Sequence, residues 1–191
     1  MLRAILFLLL LTALCARAQD LPHLRDGDSP DHRYDCRLLN ADGKLRFLVV
    51  AKDGGKPLAG DIPSAYEALL KTNDNAADLA RRTRVYWSPD GQYLVFREPD
   101  NSATTSAVIL ASVKPEGVKV VPIDMEKMKA LSPRKHTDWS VEFGNWIGKR
   151  MFSVRLYGMT FQQDKPNEHD EIAVVCHIKK DGDVAMSNAD E

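Results

Sequence analysis

The chain has 191 residues, with 26 basic and 27 acidic side chains and a formal net charge of −1 at pH 7. Charges of both signs are interspersed, so the surface offers no general attraction to nucleic-acid phosphates or anionic lipids, and nucleic-acid binding is not expected. The length suits a single domain that can bury its own hydrophobic core.

The N-terminus has the layout of a secretory signal peptide. Arg3 precedes an apolar run over residues 4–14, and a small-x-small triplet follows at 16–18. The run is shorter than the roughly 20 apolar residues that a spanning helix needs, so no transmembrane anchor is expected after cleavage. We predict a signal peptide over 1–18 and export to the periplasm or the extracellular space. Lipid modification at Cys15 is a less favoured alternative, because the residue before it is a bulky leucine.

The rest of the chain predicts a mainly β fold. Residues 19–31 are rich in Asp, Pro and Gly and predict an irregular N-terminal arm, followed by one β-rich domain over 32–187. Short turns between successive apolar segments favour antiparallel meander sheets, either blade-like or packed as two facing sheets. The predicted strands cover 33–39, 45–51, 84–88, 92–98, 105–113, 118–123, 139–143, 151–157, 172–179 and 184–186.

Two or three short helices are predicted between these strands. Residues 63–82 favour helix, but the polar run at 72–75 divides them into two short helices, the first capped by Ser64. Residues 124–131 predict another short helix with Asp124 as its N-cap.

Cysteine use predicts one disulfide. Removal of the leader leaves Cys36 and Cys176 in a compartment that permits disulfides. Each cysteine alternates with apolar residues along its predicted strand, so both sulfurs are expected on a buried side. We predict a Cys36–Cys176 bridge that ties the first strand to one of the last. Two separately buried free thiols are the alternative.

One turn motif resembles a known repeat. Residues 85–96 read Val-Tyr-Trp-Ser-Pro-Asp-Gly-Gln-Tyr-Leu-Val-Phe, where Pro89 presets φ and Asp90 and Gly91 tolerate positive φ. This segment resembles the hairpin of a TolB-type β-propeller repeat, and residues 146–155 carry a weaker echo of it. The resemblance implies a blade-like four-stranded sheet. About ten strands are too few for a closed propeller, which needs at least four such blades.

No familiar catalytic or cofactor motif is found. The sequence lacks Gly-x-Ser-x-Gly, His-Glu-x-x-His and phosphate-loop patterns, and its five histidines stand singly without metal-ligand spacing. The acidic segments 26–31 and 73–78 lack the spacing of a calcium loop and are interpreted as turns and caps. We therefore predict no catalytic residue, metal ligand or cofactor.

The leading hypothesis is an exported, noncatalytic binding or scaffold module for a protein or glycan. One alternative is a secreted hydrolase-like enzyme with a site built from His136, Asp138 and His169. Another is an envelope-assembly partner, which a contiguous exposed apolar patch would support. Aromatic and basic residues concentrate late in the chain and form the candidate binding surface: Trp139, Trp146, Arg150, Arg155 and Tyr157.

Overall fold

The fold is mainly β, as predicted, and consists of three antiparallel sheets that follow one another along the chain. The computed structural model describes residues 21–41, 44–64, 76–99, 106–161 and 168–189. The first sheet has the order β1-β2-β3, the middle sheet β4-β5-β6-β7, and the third sheet β8-β9-β10-β11. The strands are β1 (Tyr34–Ala41), β2 (Lys44–Ala51), β3 (Ile62–Pro63), β4 (Arg84–Trp87), β5 (Tyr93–Pro99), β6 (Ser106–Lys114), β7 (Gly117–Val121), β8 (Asp138–Gly148), β9 (Met151–Thr160), β10 (Glu168–Ile178) and β11 (Val184–Asn188).

Two short helices connect the sheets within the described residues, α1 (Ala76–Arg82) and α2 (Met125–Lys129). Asp124 caps α2 as predicted, because its carboxylate accepts hydrogen bonds from the first backbone N–H groups of the helix. The predicted signal peptide and most of the predicted helix after Ser64 lie outside the described residues. Among the residues that are described, no helix has the length and apolar character needed to cross a membrane.

The middle sheet is covered on both faces, so the fold has three layers and two cores. Leu94 and Phe96 of β5 point into the first core, whereas Val95 between them points into the second. This three-layer arrangement adds to the predicted blade-like or facing sheets, and it arises because strand alternation gives the middle sheet two apolar faces. The first core holds Tyr34, Cys36, Leu38, Leu45, Phe47 and Val49 against Leu94, Phe96, Ala111 and Val113. The second holds Val95, Leu110 and Val121 against Val141, Phe143, Phe152, Val154, Leu156, Ile172, Val174 and Cys176.

The predicted disulfide between Cys36 and Cys176 is wrong. Both cysteines are free and fully buried, as the two-thiol alternative proposed. Cys36 lies in the first core and Cys176 in the second, so the middle sheet stands between them. The alternation of apolar residues correctly predicted that each sulfur lies on a buried strand face. The two faces, however, border different cores.

The N-terminal arm is also more ordered than predicted. His23 forms an antiparallel β-bridge with Arg37, and the backbone N–H of Leu24 donates to the carbonyl of Cys36 at 3.0 Å. On its other side the same segment meets β4, where the N–H of Val85 donates to the carbonyl of Arg25 at 3.1 Å. The arm therefore contacts β1 and β4 through isolated β-bridges and joins the first sheet to the middle one.

The arm contains a second copy of the Ser-Pro-Asp turn. Ser29 and Ser88 lie 59 residues apart, and each Oγ accepts a hydrogen bond from the backbone N–H of a tyrosine five residues later. His32 and Gly91 occupy the same place in the two turns and both have positive φ, 57° and 67°. The first two sheets thus share this local turn pattern, which is hard to recognise in the sequence because the arm is rich in Asp.

Tryptophans repeat a contact between neighbouring sheets. Nε1 of Trp87 donates to the carbonyl of Gly27 at 2.9 Å, and Nε1 of Trp146 donates to the carbonyl of Tyr86 at 2.9 Å. In both cases the acceptor lies 60 residues earlier in the chain. The echo noted at Trp146 therefore corresponds to a repeated structural role.

Candidate functional site

The two tryptophans of the predicted binding surface are structural. Trp139 and Trp146 are half-buried and pack against the second core. Both indole N–H groups are used, since Trp139 donates to the carbonyl of His136 at 3.1 Å and Trp146 donates to Tyr86. Neither indole presents an open polar edge to a ligand.

Arg155 and Tyr157 lie elsewhere, on the outer face of the third sheet. Tyr157 Oη donates to Glu142 at 3.4 Å, and Nη1 of Arg155 lies 3.7 Å from a carboxylate oxygen of Glu171. A hydrogen bond with Tyr157 and the two nearby carboxylates raise the pKa of Arg155. These side chains neutralise one another, so the face they share is polar but not strongly charged.

Arg150, the remaining predicted residue, belongs to a basic cleft at one end of the sheets. The cleft measures about 320 Å³ and is lined by four basic side chains and no acidic one. Arg33 comes from the start of β1, Lys114 from the β6–β7 turn, Arg150 from the β8–β9 turn and Lys180 from the β10–β11 turn. All three sheets therefore contribute, because the start of β1 meets hairpin turns of the middle and third sheets at this end.

Charge in the cleft is only partly balanced. Arg33 is paired, with its Nε 2.5 Å from Asp31 Oδ2, and this hydrogen bond raises the pKa of Arg33. Lys114, Arg150 and Lys180 have no ion pair with any residue in the described part of the chain. Three positive charges thus face one small cleft without a carboxylate to neutralise them, which favours binding of an anion.

Sequence reasoning missed three of these four residues. Lys114 and Lys180 stand in Lys-Pro-Glu-Gly and Lys-Lys-Asp-Gly segments that were interpreted only as turns, and Arg33 was assigned to a strand. The available signal was a basic residue at the β6–β7, β8–β9 and β10–β11 connections. Reading that signal requires knowing how the sheets face one another.

A second polar cluster surrounds His136. Its imidazole is fully buried, with Nδ1 3.1 Å from Thr160 Oγ1 and Nε2 3.0 Å from Asp170 Oδ2. Hydrogen bonding to His136, followed by the charge of Arg134, lowers the pKa of Asp170. The cluster ties the segment before β8 to the ends of β9 and β10.

The His136 cluster is not the site that the enzyme alternative proposed. Asp138 accepts a hydrogen bond from the backbone N–H of Trp139, and no hydrogen bond among the described residues joins His136 to Asp138 or His169. Both imidazole nitrogens of His136 form hydrogen bonds within the protein, and the ring has no exposed surface through which it could contact a substrate. The arrangement is suited to holding the sheet together rather than to proton transfer.

Two further observations concern ligand binding: the absence of a metal-ligand cluster in the described residues and a second polar cleft. Within the described segments, no group of three or more His, Cys, Asp or Glu side chains has the geometry to hold a metal ion. On the outer face of the first sheet, a cleft of about 550 Å³ contains Asp35, whose carboxylate is bonded to His23 at 2.7 Å and to Arg37 at 2.9 Å. Its charges are internally paired.

Large apolar side chains are exposed in separate places. Val120 lies on the edge of the middle sheet, Ile147 at the β8–β9 turn, and Met159 and Phe161 at the opposite end of β9. These four do not form the single contiguous apolar patch that the envelope-assembly alternative requires.

Comparison with known proteins identifies no family. No family model matches the sequence, and no curated protein sequence matches it. Among solved structures, the fold is similar to the AtxE2 isopeptidase in its apo form, with a TM-score of 0.37 and 16% sequence identity. The match covers 90% of this chain and 31% of that protein, so this chain spans about a third of its length.

Proposed function

We propose that this chain is an exported, noncatalytic binding module whose basic cleft takes an anionic group of a protein or glycan partner. The observation that carries the proposal is the convergence of Lys114, Arg150 and Lys180 on one cleft without a carboxylate partner. Like charges held together destabilise the free protein, and an anionic ligand removes this repulsion. A ligand contacted by turns of different sheets is also recognised by their relative positions.

The noncatalytic part of the proposal is supported by the enclosure of His136, one of two histidines in the described residues that pair with an aspartate. His136 is enclosed, and its hydrogen bonds to Thr160 and Asp170 are internal. The basic cleft itself contains cations, a glutamine, a serine and tyrosines, but no histidine or carboxylate to act as a general base.

Export and the TolB-type resemblance belong to the same proposal. The charged and apolar layout of residues 1–18 supports export, and removal of the leader predicts a mature chain beginning at Gln19. Intact-mass measurement of the protein recovered from outside the cytoplasm tests this cleavage. Kinship with a TolB-type repeat is supported by the four-stranded meanders and by the repeated Trp87 and Trp146 contacts.

The experiment titrates the mature protein with two anionic probes by calorimetry at low salt. One arm uses a polyglutamate peptide and the other a sulfated oligosaccharide, so that protein-like and glycan-like ligands are distinguished. The double variant Arg150→Gln/Lys180→Gln removes two charge contacts in the cleft, one half-buried and one exposed, worth up to about 1 kcal/mol each, which weakens binding roughly 5- to 30-fold. Binding should also weaken as salt is added.

The matched control is Lys56→Gln/Lys149→Gln, which makes the same change in net charge at exposed positions outside the cleft lining. We expect this control to retain the affinity of the unaltered protein. Equal losses in both double variants would reduce the effect to net charge and contradict the cleft, as would the absence of binding to either probe.

A further inference from the structure

The outer edge of β11 carries backbone groups, at Val184 and Met186, that have no partner among the described residues. The N–H of Lys179 donates to the carbonyl of Asp183 at 2.8 Å, which sets the alternation of bonded pairs along β10 and β11. In an antiparallel pair, every second residue then directs its N–H and C=O away from the partner strand. On β11 these residues include Val184 and Met186, and neither has an outward hydrogen bond within the described structure.

Corresponding edges of the middle sheet are covered. The N–H of Val85 on β4 donates to Arg25, and the N–H of Val118 on β7 donates to the carbonyl of Ala59 at 2.8 Å. Edge strands that face solvent are commonly protected by charges, proline or bulges. The β11 sequence, Val-Ala-Met-Ser-Asn over residues 184–188, has no charge, proline or glycine. It is therefore an open strand edge without the usual protection.

A groove of about 640 Å³ runs beside this edge. Val184 and Met186 line it on one side, and Pro122, Asp124 and Lys127 line it on the other. One residue of an added strand occupies roughly 160 Å³, from a rise of about 3.3 Å, a strand spacing of about 4.8 Å and a layer thickness of about 10 Å. The groove thus has room for about four residues of a single extended chain.

From this geometry we infer that an extended peptide segment of a partner protein adds to the third sheet as a fifth strand along β11. The outward groups of Val184 and Met186 supply main-chain hydrogen bonds. The side chains of the same two residues are half-buried against the second core, so the added strand places apolar residues at alternate positions on that face.

The walls of the groove favour a peptide over a second copy of this chain. Because Pro122 and Asp124, from the segment that leads into α2, also line the groove, a second four-stranded sheet entering it would have to displace both. A single extended strand fits between β11 and these residues. The lining lysines, Lys127 and Lys179, and the aspartates, Asp124 and Asp183, balance in charge, so recognition depends on the main chain and apolar contacts.

The test uses a synthetic peptide of about eight alternating valine and threonine residues with blocked ends. Binding to the mature protein is followed by hydrogen exchange of the backbone amides of Val184 and Met186. At saturating peptide we expect exchange at both amides to slow at least about tenfold. A peptide N-methylated at every residue should not bind, because neither of its edges can then complete the ladder.

Met186→Pro is the decisive variant, since it deletes an outward N–H while leaving the bonds to β10 in place. It should abolish peptide binding and keep the cooperative unfolding of the unaltered protein, whereas Met186→Leu should bind normally. Unchanged peptide affinity in Met186→Pro, or equal binding of the N-methylated peptide, would overturn the inference. So would protection of the same amides by rising protein concentration alone, which would identify a second copy as the occupant.

Discussion

Replacing Gly158 by alanine tests whether the His136 cluster holds the third sheet together. A Cβ at Gly158 would overlap Cδ2 of His136 and lie 2.7 Å from its Cγ. The imidazole would have to move away from Thr160 and Asp170, with which it forms hydrogen bonds. Overpacking of this kind costs about 1–3 kcal/mol, and loss of the threonine hydrogen bond adds about 1 kcal/mol.

Alanine also lowers the entropy of the unfolded chain, which offsets about 0.4–1 kcal/mol of this cost. The net expectation for Gly158→Ala is a destabilisation of about 2 kcal/mol. For a domain of this size that corresponds to a fall in Tm of roughly 4–8 °C. Thermal unfolding followed by circular dichroism, together with urea titration, measures both quantities.

Gly148 provides a matched control within the same sheet, because a Cβ there would meet nothing within 4 Å. Gly148→Ala should be neutral or slightly stabilising. In the double variant Gly158→Ala/His136→Ala the overlap with the imidazole is gone and a contact of 2.9 Å with Trp139 Cζ3 remains. Alanine at 158 should therefore add a smaller loss to that of His136→Ala than it causes in the unaltered protein. If Gly158→Ala proves as stable as Gly148→Ala, the histidine does not pack against this glycine and the reasoning fails.

Three further predictions concern other parts of the fold. Burial raises the pKa of Cys176 to about 12 and that of Cys36 well above its ordinary value, so neither thiol should react with a disulfide reagent near pH 8 until the protein is denatured. The pKa of Asp170 lies below its ordinary value of 3.8, so its contribution to stability is complete above that value and is lost as pH falls through the folded-state pKa; Asp170→Asn should flatten the acid limb of stability against pH. Trp146→Phe and Trp87→Phe should each destabilise by about 1 kcal/mol in urea titration, because each removes one hydrogen bond between sheets.

Each of these predictions has its own contrary result. A single oxidised species with no free thiol after denaturation would restore the disulfide. An unchanged acid limb in Asp170→Asn would mean that the carboxylate gains nothing from folding. If Trp146→Phe is as stable as the unaltered protein, the hydrogen bond from the indole N–H contributes no more to stability than a hydrogen bond to water.

The local elements were accessible from the sequence because they depend on neighbours along the chain. Asp-Gly and Pro-rich turns placed the hairpins, and the alternation of Phe152, Val154 and Leu156 placed the buried face of β9. The predicted cap at Asp124 was confirmed for the same reason, since capping involves residues only two and three positions away. The bridges that His23 and Arg25 form with β1 and β4 were not predicted, because the Pro, Asp and Gly content of the arm resembles that of a loop.

The candidate site could not be predicted in the same way. Arg150 was singled out beside Trp146, but its neighbours in the cleft, Lys114 and Lys180, lie on turns of other hairpins. Their proximity depends on how whole sheets stack. The same limit applies to Cys36 and Cys176, for which alternation gave the correct burial and no information about which sheet lies opposite.

By itself, the sequence determined a mainly β chain of consecutive antiparallel hairpins, with the buried face of each strand set by alternation. Only the tertiary structure decided that the middle sheet separates two cores, that residues from all three sheets meet in a basic cleft, and that β11 is left with an open edge among the described residues. The reason is physical. Turn chemistry and strand alternation depend on residues a few positions apart, whereas the hydrophobic effect is non-directional and does not specify which apolar face packs against which.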